Sequence, residues 1–154
     1  MTHAPLTATA HIYTKVLQMV FGSIPALVTP FSPDGTFDEP AFREFVEWQI
    51  AEGSTALVVC GTTGEAATLT PGEHFGVVRV CVEQARRRVP VIAGAGSNDT
   101  RVGVENLRAA TDAGADAALG VVATSNRKTP LRIDQATIRR KPIVRASRCA
   151  FVGY

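Results

Sequence analysis

Two adjacent threonines between glycines form the stretch of this sequence best suited to chemistry, Gly61-Thr-Thr-Gly-Glu65. Glycines let a backbone turn tightly and bring its N–H groups close to a ligand, and the hydroxyls of Thr62 and Thr63 add donors. Such a loop can hold a small carboxylate or phosphate, aided by the positive end of the helix that follows. The alternative is an ordinary turn in which both hydroxyls only satisfy nearby backbone groups. We expect Glu65 to fix the loop by accepting backbone N–H bonds.

A second glycine-rich stretch, Gly94-Ala-Gly-Ser-Asn98, is another candidate loop. Asn98 is expected to cap the next helix or to turn the loop. His74, in the first turn of a predicted helix, is more typical of a surface or packing residue than of a functional one. The three cysteines and the histidines show no metal-ligand spacing, so the sequence predicts neither a metal nor a cofactor.

Hydrophobic patterning places these loops after short predicted strands. The predicted strands are Ile24–Thr29, Thr55–Cys60, Val89–Ala93 and Ala117–Val122. Three helices are predicted between them. The first is capped by Asp38 and ended by Gly53; the second begins at a capping box, Thr70 to Glu73, and ends in Arg86–Arg88; the third runs from Thr100 to Ala113.

Helical spacing also predicts which side chains are buried, while Trp48 is read as a core or helix-face residue. The predicted buried faces are Phe42, Phe45, Val46 and Ile50; Phe75, Val78, Val82 and Ala85; and Leu107 and Ala110. The three arginines at 86–88 are expected to oppose the negative end of the helix dipole.

The alternation of strands and helices fits two folds with parallel sheets. A doubly wound sheet is complete at 154 residues, whereas four strands are half of a (β/α)₈ barrel, which needs roughly 250 residues. No GxGxxG follows the first strand and no GxxxxGK[ST] occurs, so nucleotide-binding folds lose support. In both folds, sites form at the carboxyl ends of the strands, where both glycine-rich loops lie.

Charge divides the chain unevenly. Residues 1–123 carry eight basic and thirteen acidic side chains, a net −5, whereas residues 124–154 carry eight basic side chains and one acid, a net +7. The basic part lacks a clear helix or strand period and is expected to be a weakly ordered tail. This tail is not expected to bind nucleic acid, because a lone basic tail is more often only solvated. No membrane span or signal peptide is visible, and reduced cysteines are expected in the cytoplasm.

At this point the sequence resembles a known family. The residues that carry the resemblance are Gly22–Phe31, Gly61–Thr70, Glu73-His74 and Pro90–Asn98. They are similar to dihydrodipicolinate synthase and to the wider family of pyruvate-dependent class I aldolases, which includes N-acetylneuraminate lyase and the 2-keto-3-deoxy sugar acid aldolases. The resemblance implies the first half of a (β/α)₈ barrel over residues 22–122, an N-terminal extension at 1–21 and an unrelated tail at 123–154.

The resemblance also implies a function. The family forms a Schiff base between a lysine and pyruvate, and the synthase then adds the enamine to aspartate semialdehyde in lysine biosynthesis. By resemblance, Thr63 and Gly61 would bind the pyruvate carboxylate and Thr62 would join a proton relay. His74 and Asn98 match an allosteric lysine site of some members, although Val102 stands where that site has an acid.

Other features depart from the family pattern. Thr124-Ser-Asn-Arg127 stands where the family has a tyrosine pair, and Lys128, Lys141 and Tyr154 lie in no matching motif. We therefore expect a truncated, inactive member of the synthase branch. The open alternatives are another aldolase of the family, and a non-enzymatic binding fragment with a basic tail. A half-barrel would leave Leu27, Val58, Ile92 and Leu119 facing an empty interior, so we also expect self-association.

Overall fold

Helices and parallel strands alternate along the chain. A computed structural model describes residues 22–97, 99–120 and 150–153. Its elements are α1 (Glu39–Ala51), β1 (Leu57–Val59), α2 (Pro71–Ala85), β2 (Val91–Gly94), α3 (Thr100–Asp112), β3 (Ala117–Gly120) and β4 (Ala150–Gly153). The strands form one sheet in the order β1-β2-β3-β4, and every neighbouring pair is parallel. No helix in these residues is long and apolar enough to cross a membrane.

The first two helices begin where their local sequences predict. The Asp38 carboxylate accepts a hydrogen bond from the Ala41 N–H at 3.0 Å and so caps α1. At the start of α2, the Glu73 N–H donates to the Thr70 hydroxyl at 3.3 Å, and the Thr70 N–H donates to the Glu73 carboxylate at 2.8 Å. Gly53 follows α1 with a φ of +89°, a conformation that glycine adopts readily. These predictions are confirmed.

The end of α2 differs from the prediction. The helix stops at Ala85, and Arg86 and Arg87 both adopt left-handed backbone conformations, so the three arginines do not form its last turn. The Arg86 backbone N–H donates to the Val82 carbonyl at the helix terminus. Among the three arginine side chains, that of Arg88 contacts the terminus, because its guanidinium donates to the carbonyl oxygens of Gln84 and Ala85. The same side chain makes a two-pronged ion pair with Glu47 of α1.

All three helices pack on one face of the sheet. The main core joins α1 and α2 to the β1 and β2 side chains that point to that face, and Leu107 of α3 packs on Ala118 of β3, the register partner of Ala93. The opposite face holds a smaller cluster built on Ala56, Ile92 and Ala117, with Val58 and Leu119 against it. A doubly wound sheet carries helices on both faces, so this arrangement favours the half-barrel.

Three side chains, those of Leu27, Phe75 and Trp48, show how the predicted core compares with the structure. Leu27 is buried in the main core with the helices, so the prediction that it faces the barrel interior is wrong; Val28 takes the open side and is 49% exposed. Phe75 is 37% exposed and does not belong to the buried face of α2, which contains Val77 and Cys81 instead. Trp48 lies on the surface of α1 and is 55% exposed.

The outermost strands also differ from the prediction. The stretch predicted as the first strand, Ile24–Thr29, forms a single bridge between Ala26 and Val58. It still runs parallel to β1, because the Val58 N–H donates to the Pro25 carbonyl and the Leu27 N–H donates to the Val58 carbonyl. Proline lacks an N–H, which shortens a regular ladder here. At the other edge, β4 is a strand that the sequence did not predict.

Candidate functional site

The first glycine-rich loop follows β1 as a compact set of turns. Cys60, the last residue before it, has a φ of +54°, a left-handed conformation that costs a non-glycine residue roughly 1–2 kcal/mol. Inside the loop, the Gly61 carbonyl accepts from the N–H groups of Gly64 and Ala66, and the Thr62 carbonyl accepts from the Glu65 N–H. These bonds bring the two threonines to the outer surface of the turn.

Both threonines of the loop carry donors that no described residue uses. Thr62 and Thr63 are exposed, and no described residue accepts a hydrogen bond from their hydroxyls or from their backbone N–H groups. The reading in which these hydroxyls only satisfy local backbone groups therefore finds no support in the described residues. Four donors on two adjacent residues can together bind a small anion.

Glu65 does not hold the loop in the way the sequence suggested. Its side chain is exposed, and within the described residues its carboxylate accepts no hydrogen bond. The Glu65 backbone carbonyl stabilises the loop instead, because it accepts hydrogen bonds from both the N–H and the hydroxyl of Thr68 at 2.9 Å. The expected contribution of the carboxylate is therefore wrong, and the loop closes through main-chain bonds instead.

The second glycine-rich loop contacts the first at one point of unusually close approach. A Cβ atom on Gly94 would lie 1.9 Å from the Cys60 carbonyl oxygen and 3.1 Å from the Gly61 nitrogen. Only glycine fits between the ends of β1 and β2 at this distance. The two loops predicted to share a rim are therefore in direct backbone contact, and the sequence analysis did not single out Gly94 within its loop.

His74 lies beneath this contact rather than on the surface. The residue is buried; burial lowers the pKa of its imidazole, and a hydrogen bond with the Gly94 backbone opposes that shift. The His74 carbonyl lies 3.7 Å from the Cys60 thiol. His74 is thus a packing residue in this structure, one of the readings given above, and its predicted allosteric partner Asn98 lies outside the described residues.

A buried threonine from the start of the domain also reaches the first loop. Thr29 donates a hydrogen bond from its hydroxyl to the Gly64 carbonyl at 2.8 Å. Thr29 belongs to the Gly22–Phe31 stretch that carries the family resemblance, and no role was predicted for it. The signal in the sequence was a threonine at the end of a predicted strand, directly before Pro30. The sequence does not show which carbonyl accepts a hydrogen bond from its hydroxyl.

The described residues show no cluster of three or more histidine, cysteine or acidic side chains that could hold a metal ion. Cys60 and Cys81 are both buried free thiols, and burial raises the pKa of each to about 12. A thiol is nucleophilic as its thiolate, so neither cysteine is poised to react. Among the described residues, the hydroxyl and N–H donors of the first loop are the groups that this site offers to a ligand.

Comparison with known proteins identifies the family whose sequence contains this loop. The sequence model of the dihydrodipicolinate synthetase family matches residues 19–133, well over half of the chain. The chain belongs to this family. The matched range contains both glycine-rich loops, His74 and Thr29, and it runs past the domain boundary predicted at residue 122.

Curated relatives within the dihydrodipicolinate synthetase family are similar over the same region. The 4-hydroxy-tetrahydrodipicolinate synthase of Rhizorhabdus wittichii is 68% identical over 109 residues, which are 71% of this chain and 37% of that protein. The enzyme of the same name from Novosphingobium aromaticivorans is 61% identical over 71% of this chain and 36% of its own length. The chain therefore spans little more than a third of the length of these relatives.

Solved structures of the family superpose on the described fold. The chloride-inhibited dihydrodipicolinate synthase of Acinetobacter baumannii complexed with pyruvate matches with a TM-score of 0.76 and 41% identity, over 86% of this chain and 45% of that one. The enzyme of Aquifex aeolicus matches with a TM-score of 0.75 and 38% identity, over 86% and 44% of the two chains. The predicted half of a (β/α)₈ barrel is confirmed.

Proposed function

We propose that the loop Gly61–Glu65 binds the carboxylate of pyruvate. We further propose that the whole protein is a 4-hydroxy-tetrahydrodipicolinate synthase, a Schiff-base lyase that condenses pyruvate with aspartate semialdehyde in lysine biosynthesis. The observation that carries this proposal is the set of four donors on Thr62 and Thr63 that have no acceptor within the part of the chain that the structure describes. A carboxylate has two oxygens that accept several hydrogen bonds, so one such group can accept from donors of this loop that have no acceptor among the described residues.

The two threonines take different roles in this proposal. Thr63, with Gly61, binds the carboxylate, because N–H and O–H donors to an ionised oxygen form the stronger class of hydrogen bond. Thr62 passes a proton during the reaction, since a hydroxyl both donates and accepts and proton transfer needs groups within hydrogen-bond reach. The names of the similar relatives support the synthase over the other aldolases of the family.

Imine formation requires a further residue. Lys15, Lys128 and Lys141 are the lysines of this chain; all lie outside the described residues, and none has the sequence context of the family's lysine. Attack on the pyruvate carbonyl needs a lysine of lowered pKa. We therefore propose that these 154 residues bind pyruvate without forming the covalent intermediate.

Ligand-detected NMR tests both parts of the proposal. Saturation transfer from the chain to the pyruvate methyl group measures binding, and Thr63→Val should weaken binding at least about tenfold, because a hydrogen bond to a charged group is lost. Thr36→Val is the matched control, since Thr36 is an exposed threonine outside the loop; it should bind like the parent chain.

Treatment with pyruvate and borohydride followed by mass spectrometry tests the second part. We expect no stable adduct on the parent chain. A pyruvyl adduct on one lysine, together with turnover of aspartate semialdehyde, would refute the proposed inactivity while supporting the family activity.

In the NMR experiment, absence of pyruvate binding by the parent chain, or equal weakening of binding by both threonine variants, would refute the assignment of the loop.

A further inference from the structure

The loop Gly61–Thr68 packs on the main core through Ala66 but makes few hydrogen bonds to the other described residues. Its hydrogen bonds within the described residues run between its own members, from Gly64 and Ala66 to Gly61, from Glu65 to Thr62 and from Thr68 to Glu65. The exception is the bond from the Thr29 hydroxyl to the Gly64 carbonyl, at 2.8 Å. This bond joins residues 35 positions apart and lies in the protein interior.

The surroundings of this bond leave little room for adjustment. Thr29 is 6% exposed and Gly64 is buried. A Cβ atom on Gly64 would lie 3.0 Å from the Leu27 carbonyl oxygen and 3.3 Å from the Thr29 hydroxyl oxygen. Gly64 therefore packs closely against Leu27 and Thr29, and its carbonyl is buried with the Thr29 hydroxyl, where water cannot readily replace a lost partner.

We propose that Thr29 is a positioning residue for the pyruvate-binding loop. Its hydroxyl fixes the Gly64 carbonyl, and Gly64 is directly attached to Thr63, so the orientation of the Thr63 donors depends on a residue that touches no ligand. The part of this proposal that concerns pyruvate rests on the proposed function. The part that concerns the loop rests only on the hydrogen bond and its burial.

Two substitutions in the full chain separate the hydroxyl from the methyl group of Thr29. Thr29→Val keeps the shape and removes the hydroxyl, whereas Thr29→Ser keeps the hydroxyl and removes the methyl group. Hydrogen exchange followed by mass spectrometry compares peptides from the loop with peptides from β2, with and without pyruvate. Thr29→Ala replaces the valine variant if that variant does not fold.

We expect Thr29→Val to accelerate exchange in the loop about tenfold, because a buried acceptor loses its donor, while exchange in β2 stays unchanged. Protection of the loop by pyruvate should require at least about tenfold more pyruvate. Thr29→Ser should behave like the parent chain in both measurements, which a purely packing role for Thr29 does not predict.

Other outcomes overturn the proposal. Unchanged loop exchange in Thr29→Val would show that the bond does not hold the loop. Equal acceleration in the loop and in β2, with no rescue by serine, would make Thr29 an ordinary core residue. Faster loop exchange with an unchanged pyruvate requirement would refute the link to the ligand. If the parent chain shows no pyruvate protection, the proposed function fails, and loop exchange alone then decides whether Thr29 positions the loop.

Discussion

Replacing Gly94 with alanine tests directly how the ends of β1 and β2 meet. The added Cβ would lie 1.9 Å from the Cys60 carbonyl oxygen and 2.6 Å from the Cys60 carbonyl carbon. Real Cβ atoms essentially never approach other heavy atoms closer than 3.0 Å, so the two strand ends must separate by about 1.1 Å. The obstructing atoms belong to the backbone, and no side-chain rotation relieves the contact.

The cost of this separation can be worked out from its parts. A hydrogen bond of about 2.9 Å is lost when it is stretched by 1 Å, and each buried group left unpaired costs about 1–3 kcal/mol. Overpacking in a dense interior adds about 1–3 kcal/mol. We therefore expect Gly94→Ala to lower the free energy of unfolding by about 2–6 kcal/mol, a large fraction of the stability of a typical domain.

Urea unfolding followed by circular dichroism measures this loss. Gly76→Ala is the matched control, because Gly76 lies within α2 and a Cβ there meets nothing within 4 Å. That variant should be more stable than the parent by about 0.5–1 kcal/mol, since alanine favours helices over glycine. A Gly94→Ala variant within about 1 kcal/mol of the parent would refute the close approach of the two strands.

Two further predictions concern titration. Burial lowers the pKa of His74 from the ordinary 6.5, so the free energy of unfolding should be at its full value above that pH and should fall as the pH drops below 6.5. Unfolding of His74→Gln should lack this fall, and an unchanged pH dependence in that variant would contradict the assignment of the fall to His74. Because the pKa of Cys60 and Cys81 is raised to about 12, iodoacetamide should label both roughly a thousandfold more slowly at pH 8 than an ordinary thiol. The rate is measured in a Cys149→Ser background, and labelling at the rate of the urea-unfolded chain would refute it.

The parts of the fold that the sequence predicted are those decided over a few residues. The capping box from Thr70 to Glu73 spans four residues, and the cap at Asp38 acts on the first turn of the helix that follows it. The buried face of α2 was less predictable, because the helix's own apolar residues do not form a single stripe along one side. For Leu27 the same difficulty arises, since Ile24 to Val28 is apolar at every position and alternation cannot select a face.

The residues of the candidate site likewise fall into those that local sequence predicts and those that depend on distant contacts. Thr62 and Thr63 could be nominated from their own sequence, because two glycines beside two hydroxyls suit a binding loop. Gly94 and Thr29 could not be assigned, since each acts on a residue more than thirty positions away. The strand β4 was missed for a further reason: four apolar or small residues after a basic stretch are too few to show a period.

Gly94 and Thr29 show that the conformation of the loop Gly61–Glu65 depends on more than β1, the strand that precedes it. On one side, Gly94 omits a side chain and so lets the end of β2 pack against the Cys60–Gly61 peptide. On the other side, Thr29 supplies a hydroxyl that holds the Gly64 carbonyl. The left-handed backbone at Cys60 is unfavourable in isolation, so the neighbouring strands must stabilise it. A substitution at either neighbour should therefore displace Thr62 and Thr63 without altering any group that would contact pyruvate.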